Sequence, residues 1–171
     1  MLNLSIFLPN YFFNKIWDIT EEDLKKIGAR LLILDVDNTL TEHKQIFLHP
    51  KAEEWLSMVR NNTQIQLVIM SNTNNLKIKK IAEEKGIPYL GNAHKPLSSG
   101  FKMVLNKFDV QKSSVAIIGD QIYTDILGGN LFGITTILVT PIKLENTFFF
   151  KLKRKLEVPF LKQIKNRKRK W

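Results

Sequence analysis

The chain of 171 residues is 44% hydrophobic and carries a net charge of +10 at pH 7, values that fit one soluble domain with its own core. It holds no cysteine, which excludes disulfides and thiolate metal sites, and no apolar run is long enough for a membrane-spanning helix. The first residues lack the basic start of a signal peptide and their apolar stretch is broken at Pro9, so we expect a cytoplasmic protein.

Residues 1–30 form an aromatic-rich segment that we expect to pack on the rest of the domain. Thr20, followed by three acidic residues that end at Asp23, predicts the start of a helix. The segment also carries an apolar patch, which either lies at a membrane interface or covers an edge of the sheet. Its members are Leu4, Ile6, Phe7, Leu8, Tyr11, Phe12, Phe13 and Trp17.

Residues 31–142 alternate between short apolar runs and amphipathic stretches. The runs predict five strands, at residues 31–37, 65–70, 87–90, 115–118 and 134–139. Helical patterns begin at Pro50, at Asn74 or Asn75, after Lys95-Pro96 and around Thr124. This alternation predicts an α/β fold of three layers, a Rossmann-like arrangement with a mainly parallel five-stranded sheet and helices on both faces.

Residues 143–171 form a basic tail, helical or disordered, with eleven Lys or Arg and two Glu, so this tail carries +9 of the net charge. Such a tail favours an anionic partner, either a membrane surface or nucleic acid, unless it serves only as a solubilising end. Phe148, Phe149 and Phe150 at its head fit a patch docked on the core better than a membrane wedge.

Two carboxylates, Asp35 and Asp37, follow the first buried run directly. Like charges crowded at the exit of a strand repel each other and lose hydration, so a compensating group is needed. Oxygen ligands favour Mg²⁺ as that group. The run therefore predicts a magnesium site at the carboxyl end of a buried parallel strand, where open α/β sheets place their ligands.

The later strand ends also carry polar side chains. Ser71 and Asn72 follow the second strand, Lys95 follows the third, and the fourth leads into Asp120 and Asp125. In a parallel sheet these groups meet at one edge. A nucleophile, a cation and donors for the equatorial oxygens are the parts that phosphoryl transfer needs.

Each motif taken alone also has a purely structural interpretation. The acid pair could belong to a plain loop, and Ser71-Asn72 could serve only as a helix cap. Lys95 could be a solvated surface lysine, and Asp125 could be structural. Four such sets in this order favour a site over these separate interpretations.

The motifs together resemble those of phosphatases of the haloacid dehalogenase superfamily. The matching residues are Asp35-Val36-Asp37-Asn38-Thr39, Ser71-Asn72, Lys95-Pro96 and Gly119-Asp120 through Asp125. The stretch from Gly119 to Asn130, the early Phe7-Leu8-Pro9 and the basic end are similar to the YqeG-type class IIIA phosphatases of that superfamily. Mitochondrial and plastid relatives of that family are phosphatidylglycerophosphate phosphatases, so the resemblance implies an anionic lipid as the phosphorylated substrate.

The resemblance implies a role for each residue. Asp35 would be the nucleophile that forms an aspartyl-phosphate, and Asp37 would be the general acid and then the general base. The Mg²⁺ ligands would be Asp35, the Asp37 backbone carbonyl and Asp120, with Asp125 holding a metal-bound water. The phosphoryl group would be bound by Ser71, the Asn72 backbone N–H and Lys95.

The spacing of the motifs excludes an inserted cap domain. Only 30 residues separate Leu40 from Ser71, and 22 separate Asn72 from Lys95, enough for one helix and one strand each. An open site suits a bulky substrate, and together with the resemblance it favours phosphatidylglycerophosphate at the inner face of the membrane.

Two other functions stay open at this point. One is a phosphatase of small molecules, nucleic-acid ends or proteins. The other is a nucleic-acid or ribosome-associated binding module on the same scaffold, which the basic tail favours and the intact acid set disfavours, because binding needs no general acid.

Overall fold

The computed structural model describes residues 4–42, 45–143 and Phe160. Over this part of the chain six strands form one sheet in the order β1-β6-β5-β2-β3-β4, and every neighbouring pair is parallel. The strands are β1 (Tyr11–Phe13), β2 (Leu31–Leu34), β3 (Gln66–Met70), β4 (Tyr89–Leu90), β5 (Val115–Gly119) and β6 (Thr135–Val139).

Five α-helices of residues 4–143 connect and cover the strands, and the first four begin where the start signals predict. The helices are α1 (Glu21–Ile27), α2 (Pro50–Asn62), α3 (Leu76–Glu84), α4 (Ser98–Phe108) and α5 (Leu127–Phe132). Thr20 and Asp23 form a reciprocal capping box on α1, and the Asn75 side chain caps α3 by accepting from two backbone N–H groups. A π-helical turn, Ile122–Ile126, leads into α5.

The predicted α/β fold is confirmed, with a correction to the strand count. The sheet has six strands rather than five, because Tyr11–Phe13 pairs with β6 at the sheet edge. Three aromatic residues without a polar alternation give too short a pattern to identify as a strand. Leu8 is buried, and Phe7 and Phe12 pack with it. These members of the N-terminal apolar patch pack at the edge of the sheet.

The core lies on both faces of the sheet because β2 has no polar face. All four of its residues are fully buried, as expected for a central parallel strand. Leu32 and Leu34 pack with residues of α1, α2 and α3, while Leu31 and Ile33 pack with Phe101 of α4. The Trp55 indole N–H donates to the Ile19 carbonyl (2.8 Å) and joins α2 to the N-terminal segment.

Neither connection that could hold a cap domain does so among the described residues. Between β2 and β3 the chain forms α2, and between β3 and β4 it forms α3. The predicted tail, with Phe148, Phe149 and Phe150, lies outside the described residues apart from Phe160, whose ring centroid is 5.0 Å from that of Phe7. No helix in the described ranges is both long enough and apolar enough to cross a membrane.

Candidate active site

The predicted polar residues lie at the carboxyl edge of the sheet. β2 and β5 are neighbours in the sheet. The chain leaves β2 toward β3 and leaves β5 toward β6, in opposite directions along the sheet. Such a point in an open α/β sheet forms a crevice in which ligands bind. Asp35 follows β2, Ser71 follows β3, and Asp120 follows β5, so all three are brought to this crevice.

A buried lysine links two of the carboxylates. The Lys95 ammonium lies 2.6 Å from Asp35 Oδ1 and 2.7 Å from Asp125 Oδ1, and it also donates to the Met70 carbonyl (3.0 Å). Lys95 is 5% exposed and Asp125 is fully buried. The structure thus places Lys95 inside the site and not on the surface. Removal of Lys95 would leave two buried carboxylates without their compensating charge.

Asp120 completes a cluster of three buried carboxylates. One oxygen each from Asp35, Asp120 and Asp125 lie within 4.8 Å of one another. Three carboxylates and one ammonium leave two negative charges in a region largely shielded from water, which is costly unless a cation offsets them. Hard oxygen donors around an excess charge of two fit a divalent metal ion such as Mg²⁺.

The electrostatics of the cluster are visible in two pKa shifts. Burial, helped by the neighbouring charge of Asp35, raises the pKa of Asp125 to about 6, against the lowering effect of Lys95. Burial disfavours the charged form of Lys95, but Asp125 and Asp35 outweigh it and raise the pKa of this lysine. Lys95 therefore stays a cation, and Asp125 takes up a proton in weak acid when no metal is bound.

The loop after β2 holds Asp35 in place. The Thr39 hydroxyl donates to Asp35 Oδ2 (3.3 Å). Asn38 adopts a left-handed backbone (φ 61°), which asparagine tolerates better than most residues, and its carbonyl accepts from Ile142 N–H (2.9 Å). Asp37 is half-buried, and its backbone bridges to Thr41. The first motif is thus tied to the segment that follows β6.

The side chain of Asn72 positions Lys95. Its Nδ2 donates to the Lys95 carbonyl (3.0 Å), and its Oδ1 accepts from the Lys95 N–H (2.6 Å). The sequence pattern predicted only a backbone contribution from Asn72, because nothing local reports a contact 23 residues away. Ser71 beside it is buried, and its Oγ accepts from Thr73 N–H (3.2 Å).

The π-helical turn supplies Asp125. Its Oδ2 accepts from the Gln121 N–H (3.2 Å), and such turns are frequent at functional sites. Gly119 ends β5 next to this carboxylate, and a Cβ there would overlap Asp125. Glycine at position 119 therefore allows the close approach of Asp125 to the strand end.

One residue of this edge was not singled out from the sequence. Lys15 follows β1 in the chain. Its ammonium group donates to the carbonyls of Thr140, Pro141 and Ile142. Burial lowers the pKa of Lys15. The sequence gives no sign that Lys15 binds these carbonyls, because nothing local reports contacts 125 to 127 residues away.

Comparisons with known proteins agree with this geometry. A family model described as mitochondrial PGP phosphatase matches residues 1–143. The chain is 35% identical over 163 residues to the probable phosphatase YqeG of Bacillus subtilis (strain 168), which covers 95% of this chain and 94% of that protein. It is 27% identical over 165 residues to phosphatidylglycerophosphate phosphatase 1, chloroplastic/mitochondrial, of Arabidopsis thaliana, covering 91% of this chain and 47% of that protein. The chain thus spans about half the length of the plant relative.

Solved structures agree on the fold. The cobalt-bound form of the deoxy-D-mannose-octulosonate 8-phosphate phosphatase YrbI from Haemophilus influenzae superposes with a TM-score of 0.56 at 15% identity, covering 75% of this chain and 77% of that one. The family match extends over most of the chain and the bacterial relative over nearly all of it. The chain therefore belongs to the mitochondrial PGP phosphatase family and is a phosphoric monoester hydrolase.

Proposed function

We propose that this phosphatase hydrolyses phosphatidylglycerophosphate to phosphatidylglycerol with Mg²⁺ and an aspartyl-phosphate intermediate on Asp35. The observation that carries the proposal is the buried Asp35–Lys95–Asp125 arrangement beside Asp120, at a sheet edge that no inserted domain covers in the described chain. Asp35 is the proposed nucleophile of the three carboxylates. Two donors, Lys95 and Thr39, fix its side chain, and it directly follows β2 at the crevice.

The proposed reaction has two steps. In the first, an Asp35 carboxylate oxygen attacks phosphorus, the bond from phosphorus to the substrate oxygen breaks, and Asp37 gives its proton to the leaving alkoxide. In the second, Asp37 takes a proton from water, whose oxygen attacks the same phosphorus and releases inorganic phosphate and Asp35. Ser71, the Asn72 backbone N–H and Lys95 bind the phosphoryl oxygens.

The residues proposed to hold Mg²⁺ are Asp35, the backbone carbonyl of Asp37, Asp120 and Asp125. When bound, the ion supplies positive charge that offsets the developing charge on the phosphoryl oxygens. The Asn72 side chain contributes indirectly, because it fixes the backbone of Lys95 and with it the origin of the ammonium group. A fixed backbone at residue 95 limits the positions that the long lysine side chain can reach, and so favours the one that binds the phosphoryl group.

The lipid as substrate is supported by two independent facts. The plant relative is named for phosphatidylglycerophosphate, and the family model is described as mitochondrial PGP phosphatase. The sheet edge lacks an inserted domain in the described residues, and an uncovered crevice admits a phosphate that stays attached to a large lipid.

Phosphate release from phosphatidylglycerophosphate tests the proposed substrate. With the full chain, mixed micelles and Mg²⁺, we expect kcat/KM for the lipid to exceed that for p-nitrophenyl phosphate by about 100-fold or more, since binding energy from the remote parts of a true substrate contributes to the transition state. A colorimetric phosphate assay measures both. Hydrolysis of the soluble ester without hydrolysis of the lipid would overturn the substrate and leave the phosphatase assignment standing.

Divalent metal should stabilise the folded chain, and more so above pH 6. At about 100 times its Kd, Mg²⁺ is expected to add about 2.7 kcal/mol to the free energy of unfolding, or roughly 5–10 °C in Tm. Because the pKa of Asp125 is raised to about 6 in the metal-free site, a proton competes with the ion below that pH, and the thermal shift should shrink as the pH falls.

Thermal melts of EDTA-treated protein with and without Mg²⁺ measure this effect across pH. Asp120→Asn, which removes one carboxylate charge from the cluster, serves as the comparison and should lose most of the shift. An equal shift in the wild type and Asp120→Asn would show that Mg²⁺ binds elsewhere.

A further inference from the structure

Large apolar side chains are exposed around the mouth of the site. Six large hydrophobic residues of the described chain are exposed, and three of them, Phe47 (67%), Leu76 (68%) and Leu97 (64%), lie on the connections that leave β2, β3 and β4. Single exposed hydrophobic residues are ordinary. Three on adjacent connections, all at the carboxyl edge of the sheet, are not scattered. We call these three residues the apolar rim.

The rim is tied to the catalytic segments. Leu97 follows Lys95 by two positions, and its N–H donates to the His94 carbonyl (2.9 Å). Leu76 is the first residue of α3, next to the Asn75 cap. Phe47 precedes His49, whose N–H donates to the Leu40 carbonyl (2.8 Å) at the end of the first motif. Each rim residue thus has an anchored neighbour, although its own side chain faces solvent.

The charge around the rim suits an anionic surface. The first turns of α3 and α4 hold no acidic residue, and that of α2 holds only Glu53, which is ion-paired with Lys85. Glu42, on the same connection as Phe47, is paired with Lys143 (3.1 Å). Lys51 and Lys77 are exposed in the same helix starts. Apolar side chains flanked by lysines are the combination that binds an anionic bilayer.

The other apolar candidates are less suitable. In the N-terminal apolar patch Leu8 is buried, Phe7 and Phe12 pack with it, and Tyr11–Phe13 pairs with β6. Of the remaining exposed hydrophobic residues, Leu4 precedes β1, Met103 lies within α4, and Leu131 lies near the end of α5. None of these three lies between the carboxyl end of a strand and the first turn of the helix that follows it.

We propose that the apolar rim of Phe47, Leu76 and Leu97 docks the catalytic edge onto an anionic lipid bilayer, so that a phosphorylated headgroup enters the crevice while its acyl chains stay in the membrane. This proposal rests on the proposed lipid phosphatase function, because it gives the route by which that substrate reaches Asp35. The occupant of this surface is a membrane and not a second protein chain.

The test compares two matched triple variants of the full chain. The rim variant is Phe47→Ser, Leu76→Gln and Leu97→Ser; serine at position 97 suits the N-cap of α4. The control variant, Leu4→Gln, Met103→Gln and Leu131→Gln, removes the same number of exposed hydrophobic residues away from the edge. Each is sedimented with vesicles of phosphatidylglycerol and phosphatidylcholine, at low salt and at about 0.5 M salt, where surface charge attraction is screened.

We expect the rim variant to bind vesicles about tenfold or more weakly than the wild type at both salt concentrations, because apolar insertion survives screening. The control variant should bind as the wild type does. The ratio of lipid to p-nitrophenyl phosphate hydrolysis should fall about tenfold in the rim variant alone. Equal vesicle binding by all three proteins, or an equal loss in both variants, would overturn the rim proposal.

Vesicle binding and catalysis also separate the two proposals. If the wild type binds vesicles through the rim but releases no phosphate from the lipid, the substrate proposal fails and the rim proposal stands. If the lipid is hydrolysed equally well by the wild type and the rim variant, the rim proposal fails and the substrate proposal stands.

Discussion

Asp35→Asn abolishes phosphate release, with an expected fall in kcat of about 10⁴-fold or more, because an amide cannot form the acyl phosphate. The fold should persist. The asparagine oxygen can still accept from the Lys95 ammonium, and its Nδ2 can donate to the Thr39 hydroxyl, so both side-chain contacts of Asp35 have a counterpart. One buried carboxylate fewer also relieves repulsion within the cluster, so the metal-free variant should melt at the same temperature as the wild type or higher.

Acid-quenched reactions with a radiolabelled phosphoester provide a second measurement. The wild type should carry label on the protein during turnover, and Asp35→Asn should carry none. Asp109→Asn is a suitable control, because residue 109 lies exposed at the end of α4 with a left-handed backbone that asparagine accepts. Turnover by Asp35→Asn above about 1% of the wild-type rate would refute Asp35 as the nucleophile.

Lys95→Met should cost both stability and activity. Its ammonium lies between Asp35 and Asp125 at hydrogen-bond distance, and all three side chains are buried. Removing one partner of a buried ion pair typically destabilises by about 3–5 kcal/mol, and losing a positive charge from a phosphoryl site typically lowers kcat by about 10²–10³-fold. Mg²⁺ should restore part of the stability, and a larger part than it adds to the wild type, because it replaces the missing positive charge.

The stability lost in Lys95→Met should depend on pH in a definite direction. Without Lys95 only the Gln121 N–H opposes the burial and the Asp35 charge that raise the pKa of Asp125, so a proton neutralises Asp125 more readily as the pH falls. The free energy of unfolding of Lys95→Met should therefore fall further below that of the wild type at about pH 8 than at about pH 5.

Urea unfolding with and without Mg²⁺ at both pH values measures the loss. Lys102→Met on the exposed side of α4 is the matched control and should unfold as the wild type does. A metal-free Lys95→Met protein as stable as the wild type at about pH 8 would show that the ion pairs add nothing to the fold.

Part of the site was predictable because its members follow strand ends. A buried apolar run followed by Asp35 or Asp120 is a local pattern, and parallel strands carry such residues to the same edge. Asp125 was predicted near the metal. Its ion pair with Lys95 was not predicted, because the π-helical turn that aims it inward leaves no trace in the order of residues.

The sequence by itself determined the strand and helix alternation, the α/β class, the four motifs and the absence of room for a cap. Each of these features depends on neighbouring residues, because hydrophobic period and motif spacing are properties of short segments. The tertiary structure alone decided that Tyr11–Phe13 adds a sixth strand, that Lys95 bonds Asp35 across 60 positions, and that the side chains of Phe47, Leu76 and Leu97 are exposed. These contacts join distant segments, and only the packing of the two sheet faces fixes which distant side chains meet.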